Sequence, residues 1–153
     1  MMVSIITPVH NSERYVAEMI QSVIDQTFTE WELIIVDDFS ADKSAEIISA
    51  FAAKDHRIRF IQSEKNVGAA EARNIALRKA QGAYIAFLDS DDMWHSTKLE
   101  KQVAFMQQHG YAFSFTAYER VNQDNTAVVN RIGVPKSIGY RGFLRNTIIG
   151  TLT

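Results

Sequence analysis

The chain has 153 residues, of which 46% are hydrophobic, so its length and composition suit one folded domain with a substantial core. It contains no cysteine, which excludes disulfides and thiolate metal sites. The formal charge of -2 and the lack of a basic stripe argue against nucleic acid as the main partner. No apolar run reaches the roughly 18 residues of a membrane span and no leader-like segment opens the chain, so we expect a soluble, cytoplasmic protein.

Strand-length apolar runs alternate with helix-period segments along most of the chain. Strands are predicted at 3–7, 32–36, 57–62, 83–88 and 111–118, the second and fourth buried and the third nearer an edge. Helices are predicted over 14–27, after the cap residue Asp42, over 69–80 up to Gly82, and from a capping box of Thr97 and Glu100 to Gly110. The remainder predicts a turn at 122–125, a hairpin partner at 126–132 and a short helix at 141–146. Four strand–helix units in succession predict a doubly wound, mostly parallel α/β sheet.

Polar residues follow the predicted strands at their carboxyl ends, where ligands bind in open α/β sheets. The first strand runs into TPVHN (7–11), the second into DDFSAD (37–42) and the fourth into DSDD (89–92). A helix cap or a solvated turn explains the acidic pair at 37–38 equally well. Three carboxylates directly after a buried strand repel one another unless a cation lies among them. Oxygen ligands of this kind favour Mg²⁺ or Mn²⁺, with open positions for phosphate.

The segment EKNVGAAEARN (64–74) supports a phosphate-binding role. Gly68 precedes a helix whose free N–H groups can face an anion, and Arg73 can add a charge-assisted contact. A solvent-facing Arg73 is an equal alternative. The four histidines show no metal-ligand spacing, and only His10 falls in a candidate site loop. The residues therefore favour a divalent cation that bridges the acids to a diphosphate.

Two long stretches of the sequence resemble the family 2 glycosyltransferases of the GT-A fold. They are VSIITPVHNSERYVAEMIQSVIDQTFTEWELIIVDDFSADKS (3–44) and NVGAAEARNIALRKAQGAYIAFLDSDDMW (66–94), with DSD at the family's D-x-D position. The resemblance covers residues 3 to about 118. It implies transfer of a sugar from a nucleotide-diphosphate donor to a glycan or lipid-linked acceptor, with inversion, in polysaccharide or cell-envelope glycan synthesis. Association with the inner face of the membrane and a homo-oligomer are both compatible with it.

Carried over position by position, the resemblance assigns a donor site. The nucleotide-sugar-binding residues are Thr7 and Pro8 at the base pocket, Asp38 on the base, Asp89 near the ribose, and Asn11, Gly68, Arg73 and Ser90 around them. Asp91 is assigned to the metal, Mn²⁺ or Mg²⁺. Because a carboxylate only accepts hydrogen bonds, Asp38 favours uracil, which has a ring N–H, over cytosine, and hence a UDP-sugar.

The sequence departs from the family in one respect. The family takes its general base from a later acidic motif, whereas here only Glu119 and Asp124 follow Glu100 and neither lies in that motif. We therefore assign no catalytic base and expect a single domain over 1–153 that ends after about residue 120–150 of the family pattern, without the acceptor part. A donor-binding fragment or degenerate copy without transferase activity is the alternative. A haloacid-dehalogenase-type phosphotransferase with Asp89 as nucleophile and a receiver domain built on the 37–38 pair each rest on one short motif.

Overall fold

The computed structural model describes residues 1–122 and 127–139. Its strands are β1 (Val3–Val9), β2 (Trp31–Asp37), β3 (Ile58–Gln62), β4 (Tyr84–Phe87), β5 (Tyr118–Val121) and β6 (Val128–Ile132). Its helices are α1 (Val16–Ile24), α2 (Ser44–Ala52), α3 (Ala69–Leu77) and α4 (Lys98–His109). In this described part of the chain, none of the helices is long and apolar enough to span a membrane. Most of the predicted turn at 122–125 and the whole predicted helix at 141–146 lie outside the described residues.

The first four strands form one parallel sheet in the order β3-β2-β1-β4. The chain steps outward from β1 through β2 to β3, and then α3 carries it back to the other side of β1. The order therefore reverses between β1 and β4, and a crevice opens there at the carboxyl ends of the strands. The predicted parallel α/β fold is confirmed, as is the placement of the third strand at an edge.

Each face of the sheet carries its own apolar cluster. On one face, α1, α2 and α4 pack over alternate strand side chains such as Ile5 and Leu33. On the other, Ala72 and Ala76 of α3 pack against residues of β1 and β2, including Ile6. Alanine side chains let α3 lie close to the sheet. Because α3 runs opposite to the strands, its N-terminus reaches their carboxyl ends.

The prediction that the fourth strand is buried was wrong for half of its residues. Tyr84 and Ala86 pack against the core, but Ile85 and Phe87 are 42% and 37% exposed. They lie on the face covered by α3, and α3 packs over β1 and β2 rather than β4. An apolar run alone does not reveal how far a single helix extends across a sheet.

The prediction of a fifth strand over 111–118 was also wrong in its position. The strand β5 begins only at Tyr118, and Tyr111 and Phe113 are 51% and 64% exposed. The alternating pattern before it finds no strand to pair with among the described residues. The predicted hairpin is confirmed, since β5 pairs antiparallel with β6 in a separate two-stranded sheet.

The start of α4 differs from the predicted capping box, whereas its end agrees. The carboxylate of Glu100 accepts a hydrogen bond from the Thr27 hydroxyl at 2.7 Å instead of capping the helix. Gly110 adopts the left-handed conformation at φ 63°, which ends the helix as predicted. For α2, the Asp42 carboxylate accepts the Ser44 N–H at 2.9 Å, so Asp42 serves that helix start as predicted.

Candidate active site at the carboxyl edge of the sheet

The carboxyl ends of β1, β2 and β4 meet around a first cavity of about 190 Å³. Of the predicted site residues, those at its wall are Pro8, Asp38, Arg73, Asp89, Ser90 and Asp91, together with Val9, His10 and Ala69. Thr7 is fully buried in β1 behind this wall, while Asn11 and Gly68 lie in the loops around it. The sequence reasoning thus placed most of these residues at one edge, from three separate loops.

The carboxylate of Asp38 is buried and bound to the loop before α3. It accepts the N–H of Val67 at 2.6 Å and the N–H of Gly68 at 2.8 Å, and the residue is only 2% exposed. The Gly68 N–H, which the sequence suggested for a phosphate, is therefore already engaged within the protein. Gly68 has φ 84°, a conformation that an L side chain rarely adopts. Asp38 thus fixes the approach of this loop to the end of β2.

Asn11 joins the loop after β1 to the loop after β2. Its N–H donates to the Ser40 hydroxyl at 2.9 Å, and its Oδ1 accepts the N–H of Ala41 at 2.8 Å. The residue has φ 50°, which asparagine tolerates better than most residues. Its polar groups are spent on holding the two loops together.

His10 is part of the same junction and is held in one tautomer. Its Nδ1 lies 2.8 Å from the carbonyl oxygen of Asp38, which can only accept, so Nδ1 carries the proton. The Nε2 is then free to accept from the Asn11 amide at 3.1 Å. The imidazole therefore forms a fixed part of the wall of the first cavity.

Arg73 points into the site and not away from it. Its guanidinium forms an ion pair with Asp89, and both side chains are 25% exposed. The Nε of Arg73 is buried without a partner among the described residues. Arg73 thus supplies one positive charge beside the acidic segment, and one carboxylate of that segment is neutralised by the protein itself.

The other two acids of the segment have no such partner. In the described chain, neither the Asp91 nor the Asp92 side chain forms an ion pair, and Asp91 is exposed. Burial, with Asp91 and Asp89 nearby, raises the pKa of Asp92 to about 7. Asp91 lines the first cavity and also a second one, so it lies between the two.

The second cavity has a volume of about 700 Å³ and lies between α1, the segment after β4 and the β5–β6 hairpin. Its ionisable wall residues are the acids Glu18, Asp25, Asp91, Asp92 and Glu119, with His95, Lys98 and Arg131. Glu119 is 22% exposed and forms an ion pair with Arg131. The acidic groups outnumber the cationic ones, so the cavity has a negative wall.

Sequence reasoning missed two features of these walls. Lys98 was treated only as the start of a helix, yet its ammonium lies 3.8 Å from the centre of the buried Trp94 ring, and burial lowers its pKa to about 8. Ser12 was not singled out, although its hydroxyl lies 2.8 Å from that of Ser90. Both contacts join residues that only the fold brings together or turns inward, and neither has a sequence signal of its own.

No preformed metal cage exists in the described part of the chain, since no group of three or more histidine or carboxylate side chains converges there. Asp91 offers hard oxygen donors at an open position beside the first cavity. Magnesium and manganese commonly take one or two carboxylates and complete their coordination with substrate phosphates and water. The donor set therefore fits such an ion together with a diphosphate, and does not fit a metal held by the protein alone.

The sheet order, and the acids at its switch point, define a doubly wound α/β domain with a ligand site at its carboxyl edge. The sequence model described as Glycosyl transferase family 2 matches residues 4–151. The chain belongs to this family.

Its similarity to individual proteins extends over nearly its whole length. It is 49% identical over 99% of its residues to the putative teichuronic acid biosynthesis glycosyltransferase TuaG of Bacillus subtilis (strain 168), of which it covers 60%. It is 41% identical, again over 99% of its length, to the Escherichia coli UDP-Glc:alpha-D-GlcNAc-diphosphoundecaprenol beta-1,3-glucosyltransferase WfgD, of which it covers 58%. The crystal structure of S. aureus TarS 1-349 in complex with UDP has a TM-score of 0.76 at 33% identity, covering 90% of this chain and 39% of that one.

These comparisons confirm the GT-A-type fold and membership among named glycosyltransferases. The chain spans about 60% of the length of these curated relatives.

Proposed function

We propose that the protein transfers a sugar from a nucleoside-diphosphate donor, a UDP-sugar, to a hydroxyl of a cell-envelope glycan precursor, with Mn²⁺ or Mg²⁺ at Asp91. The observation that carries this proposal is the place of Asp91. It is an unpaired, exposed carboxylate that lines both cavities. A diphosphate bound there has its nucleoside in one cavity and its sugar at the entrance of the other.

The sizes of the two cavities support this division. The first, at about 190 Å³, is smaller than the roughly 300–1,000 Å³ of pockets that enclose a whole drug-sized ligand. It suits the nucleoside alone. The second, at about 700 Å³, has room for the donor sugar and an acceptor sugar together.

The choice of base rests on Asp38. Each of its carboxylate oxygens already accepts one backbone N–H and retains a further lone pair, and the residue lines the first cavity. A uracil ring N–H can use it, whereas neutral cytosine and adenine have no such donor. A relative named for UDP-Glc and structural neighbours titled with UDP and UDP-GlcNAc agree with this choice.

The acceptor side is argued from the negative wall of the second cavity. Carboxylates accept hydrogen bonds from hydroxyl groups and repel phosphates. The cavity therefore suits the neutral sugar of an acceptor, with any phosphate of a lipid carrier lying outside it. The names of two relatives point to envelope glycans, one of them to a diphosphoundecaprenol acceptor, which fits a place at the inner face of the membrane.

Residues of the chain divide the chemistry as follows. Arg73 neutralises Asp89, so Asp91 is the carboxylate left for the ion. The ion supplies Lewis-acid stabilisation of the departing nucleoside diphosphate when bound. Transfer then proceeds with inversion, as the family resemblance implies.

The test is calorimetric titration of UDP with and without EDTA. We expect Mn²⁺ to tighten UDP binding in the wild type, and Asp91→Asn to abolish most of that gain because it removes the charged ligand. Asp92→Asn should matter less, since Asp92 is half-buried and lines only the second cavity. Glu71→Gln, on the outer surface of α3, is the control and should behave as wild type. Equal UDP affinity in Mn²⁺ and in EDTA would remove the metal from the proposal.

Base selectivity is tested by competition among UDP, CDP, ADP and GDP at fixed Mn²⁺. A buried acceptor left unpaired costs roughly 1–3 kcal/mol, so UDP should bind about 5- to 150-fold more tightly than CDP or ADP. Asp38→Ala should narrow the ratio between UDP and CDP, and not merely weaken both, although it also releases the loop at Val67 and Gly68. A wild-type protein that binds CDP as well as UDP would take the base-reading role away from Asp38.

A second candidate function is donor binding without transfer. Its support is that Glu119, the acid of the β5–β6 hairpin at the second cavity, is tied up with Arg131, and that the curated relatives extend well beyond the length of this chain. Release of UDP from a labelled UDP-sugar, measured with and without a lipid-linked GlcNAc acceptor, separates the two. Tight donor binding with no acceptor-dependent turnover would favour the binding function.

A further inference from the structure

The acidic segment after β4 is fastened to the protein on two sides. Asp89 is held by Arg73 of α3, and the hydroxyl of Ser90 lies 2.8 Å from the hydroxyl of Ser12. Ser90 is only 9% exposed. Asp91 follows these two anchored residues, and its own side chain has no ion-pair partner in the described chain. The position of Asp91 is therefore set through its neighbours.

Ser12 is itself a fixed point. Its N–H donates to the hydroxyl of the buried Ser44, at the start of α2, at 2.8 Å. Its carbonyl oxygen accepts the N–H groups of Tyr15 and Val16, both at 2.9 Å, at the start of α1. The backbone of Ser12 is thus bound to the starts of two helices that pack on the core. A hydroxyl on such a backbone can hold Ser90 in place.

We propose that Ser12 is a positioning residue for the metal site, which acts through Ser90 to hold Asp91 between the two cavities. The proposal rests on the proposed function, in which Asp91 is the ligand. The anchor from Arg73 is less informative, because Arg73 lines the first cavity and is placed to contact the nucleotide. Ser12 is not among the described residues that line either cavity, so its variants report on position and not on lost ligand contact.

The test separates the metal-dependent part of nucleotide binding from the rest. UDP affinity is measured in EDTA, and Mn²⁺ is titrated at saturating UDP, with Ser12→Ala, Ser12→Thr and Ser90→Ala in the full chain. Loss of one hydrogen bond should weaken the apparent Mn²⁺ affinity roughly 2- to 10-fold in Ser12→Ala. UDP affinity in EDTA should stay within about 2-fold of wild type, which is well inside the change expected for a lost ligand contact. Ser12→Thr keeps a hydroxyl and should retain more of the Mn²⁺ affinity than Ser12→Ala.

Two comparisons make the outcome decisive. Because Ser12 and Ser90 act through one contact, the double variant should bind Mn²⁺ no more weakly than Ser90→Ala alone. Ser63→Ala is the control, since the Ser63 hydroxyl is buried without a partner among the described residues and lies outside both cavity walls. Should Ser12→Ala not fold, Ser90→Ala tests the same contact from the other side.

Three results would overturn the proposal. They are unchanged Mn²⁺ affinity in Ser12→Ala, an equal loss of UDP affinity in EDTA and in Mn²⁺, and additive effects of the two serine variants. Asp91→Asn distinguishes this failure from that of the proposed function. If Asp91→Asn loses the Mn²⁺ effect and Ser12→Ala keeps it, only the positioning role is wrong. If Asp91→Asn itself binds as wild type, the metal role fails first.

Discussion

The two edges of the parallel sheet use buried carboxylates in opposite ways. At the amino edge, Glu32 of β2 is saturated by groups of the protein. At the carboxyl edge, Asp91 and Asp92 are left without a positive partner in the described chain, although they stand next to Asp89, which has one. The first arrangement lowers the free energy of the fold, whereas the second costs stability and becomes favourable only when a cation arrives.

The amino edge is closed by hydrogen bonds around Glu32. Its carboxylate accepts the Ser4 hydroxyl at 2.6 Å, the Gln81 N–H at 2.7 Å and the Arg59 guanidinium at 2.8 Å. Gly82 lies so close to β1 that an added Cβ would come within 2.5 Å of the Ser4 nitrogen. This edge joins β1, β2, β3 and the turn before β4, and it leaves no space for a ligand.

The carboxyl edge concentrates strained backbone. Both non-glycine residues with positive φ in the described chain, Asn11 and Phe39, lie in its loops, and Gly68 lies there too. Such conformations cluster at functional sites, where surrounding contacts enforce them. Here Asn11 and Asp38 supply those contacts.

The largest expected effect comes from opening the amino edge. Glu32→Ala leaves the buried Gln81 N–H and the Ser4 hydroxyl unpaired, and it should cost about 2–4 kcal/mol, less than a fully buried pair because Arg59 is 36% exposed. Chemical denaturation measures it, with Glu71→Ala on the exposed side of α3 as the control. A cost no greater than that of Glu71→Ala would show that the network at Glu32 is not stabilising.

The second prediction concerns pH and has opposite signs at the two edges. Burial alone would raise the pKa of Glu32, but the hydrogen bonds from Ser4, Arg59 and Gln81 outweigh it and lower the pKa below 4.5. Its stabilisation is present above pH 4.5 and is lost as pH falls through the lowered value. Asp92, with its pKa raised from 3.8 to about 7, does the reverse, because the folded state binds the proton more tightly.

In EDTA, Asp92→Asn should therefore stabilise the protein by about 1–2 kcal/mol at pH 8, after allowance for solvent screening. At pH 4 the gain should vanish, since the native carboxyl is then protonated. Unfolding curves at both pH values measure this, and Glu32→Gln should lose stability at pH 8 under the same conditions. A pH-independent effect of Asp92→Asn would show that the acid is not strained by its neighbours.

The sequence predicted the carboxyl edge better than it predicted the packing around it. The acids at 37–38 and 89–92 and the glycine at 68 follow strands whose ends must meet in a parallel sheet, so pattern alone places them together. The exposed face of β4 was not predictable, because it depends on how far α3 extends across the sheet. Nor were the contacts of Glu32 and Ser12, whose partners lie up to 78 residues away in the chain.

A smaller effect is expected from relaxing the backbone rule at Gly68. An added Cβ meets nothing within 4 Å there, so Gly68→Ala tests the φ of 84° alone and should cost about 1 kcal/mol. Gly133 is also open to a Cβ but has no positive φ, and Gly133→Ala should be neutral or slightly stabilising. If both alanines have the same effect on the melting temperature, Gly68 is an ordinary loop residue.

The smallest expected effect reverses the usual sign of a glycine substitution. Phe39 has φ 59° and is 56% exposed, so Phe39→Gly removes strain and little burial, and it should stabilise by about 0.5 kcal/mol. Phe113 is 64% exposed without positive φ, and Phe113→Gly should destabilise by a similar amount because glycine gains more freedom in the unfolded chain. The two variants make the same chemical change at opposite backbone conformations, and urea denaturation compares them directly. If Phe39→Gly destabilises as much as Phe113→Gly, the loop after β2 carries no strain. If it stabilises the protein but weakens UDP binding, the strained conformation holds the Phe39 ring where the nucleotide uses it.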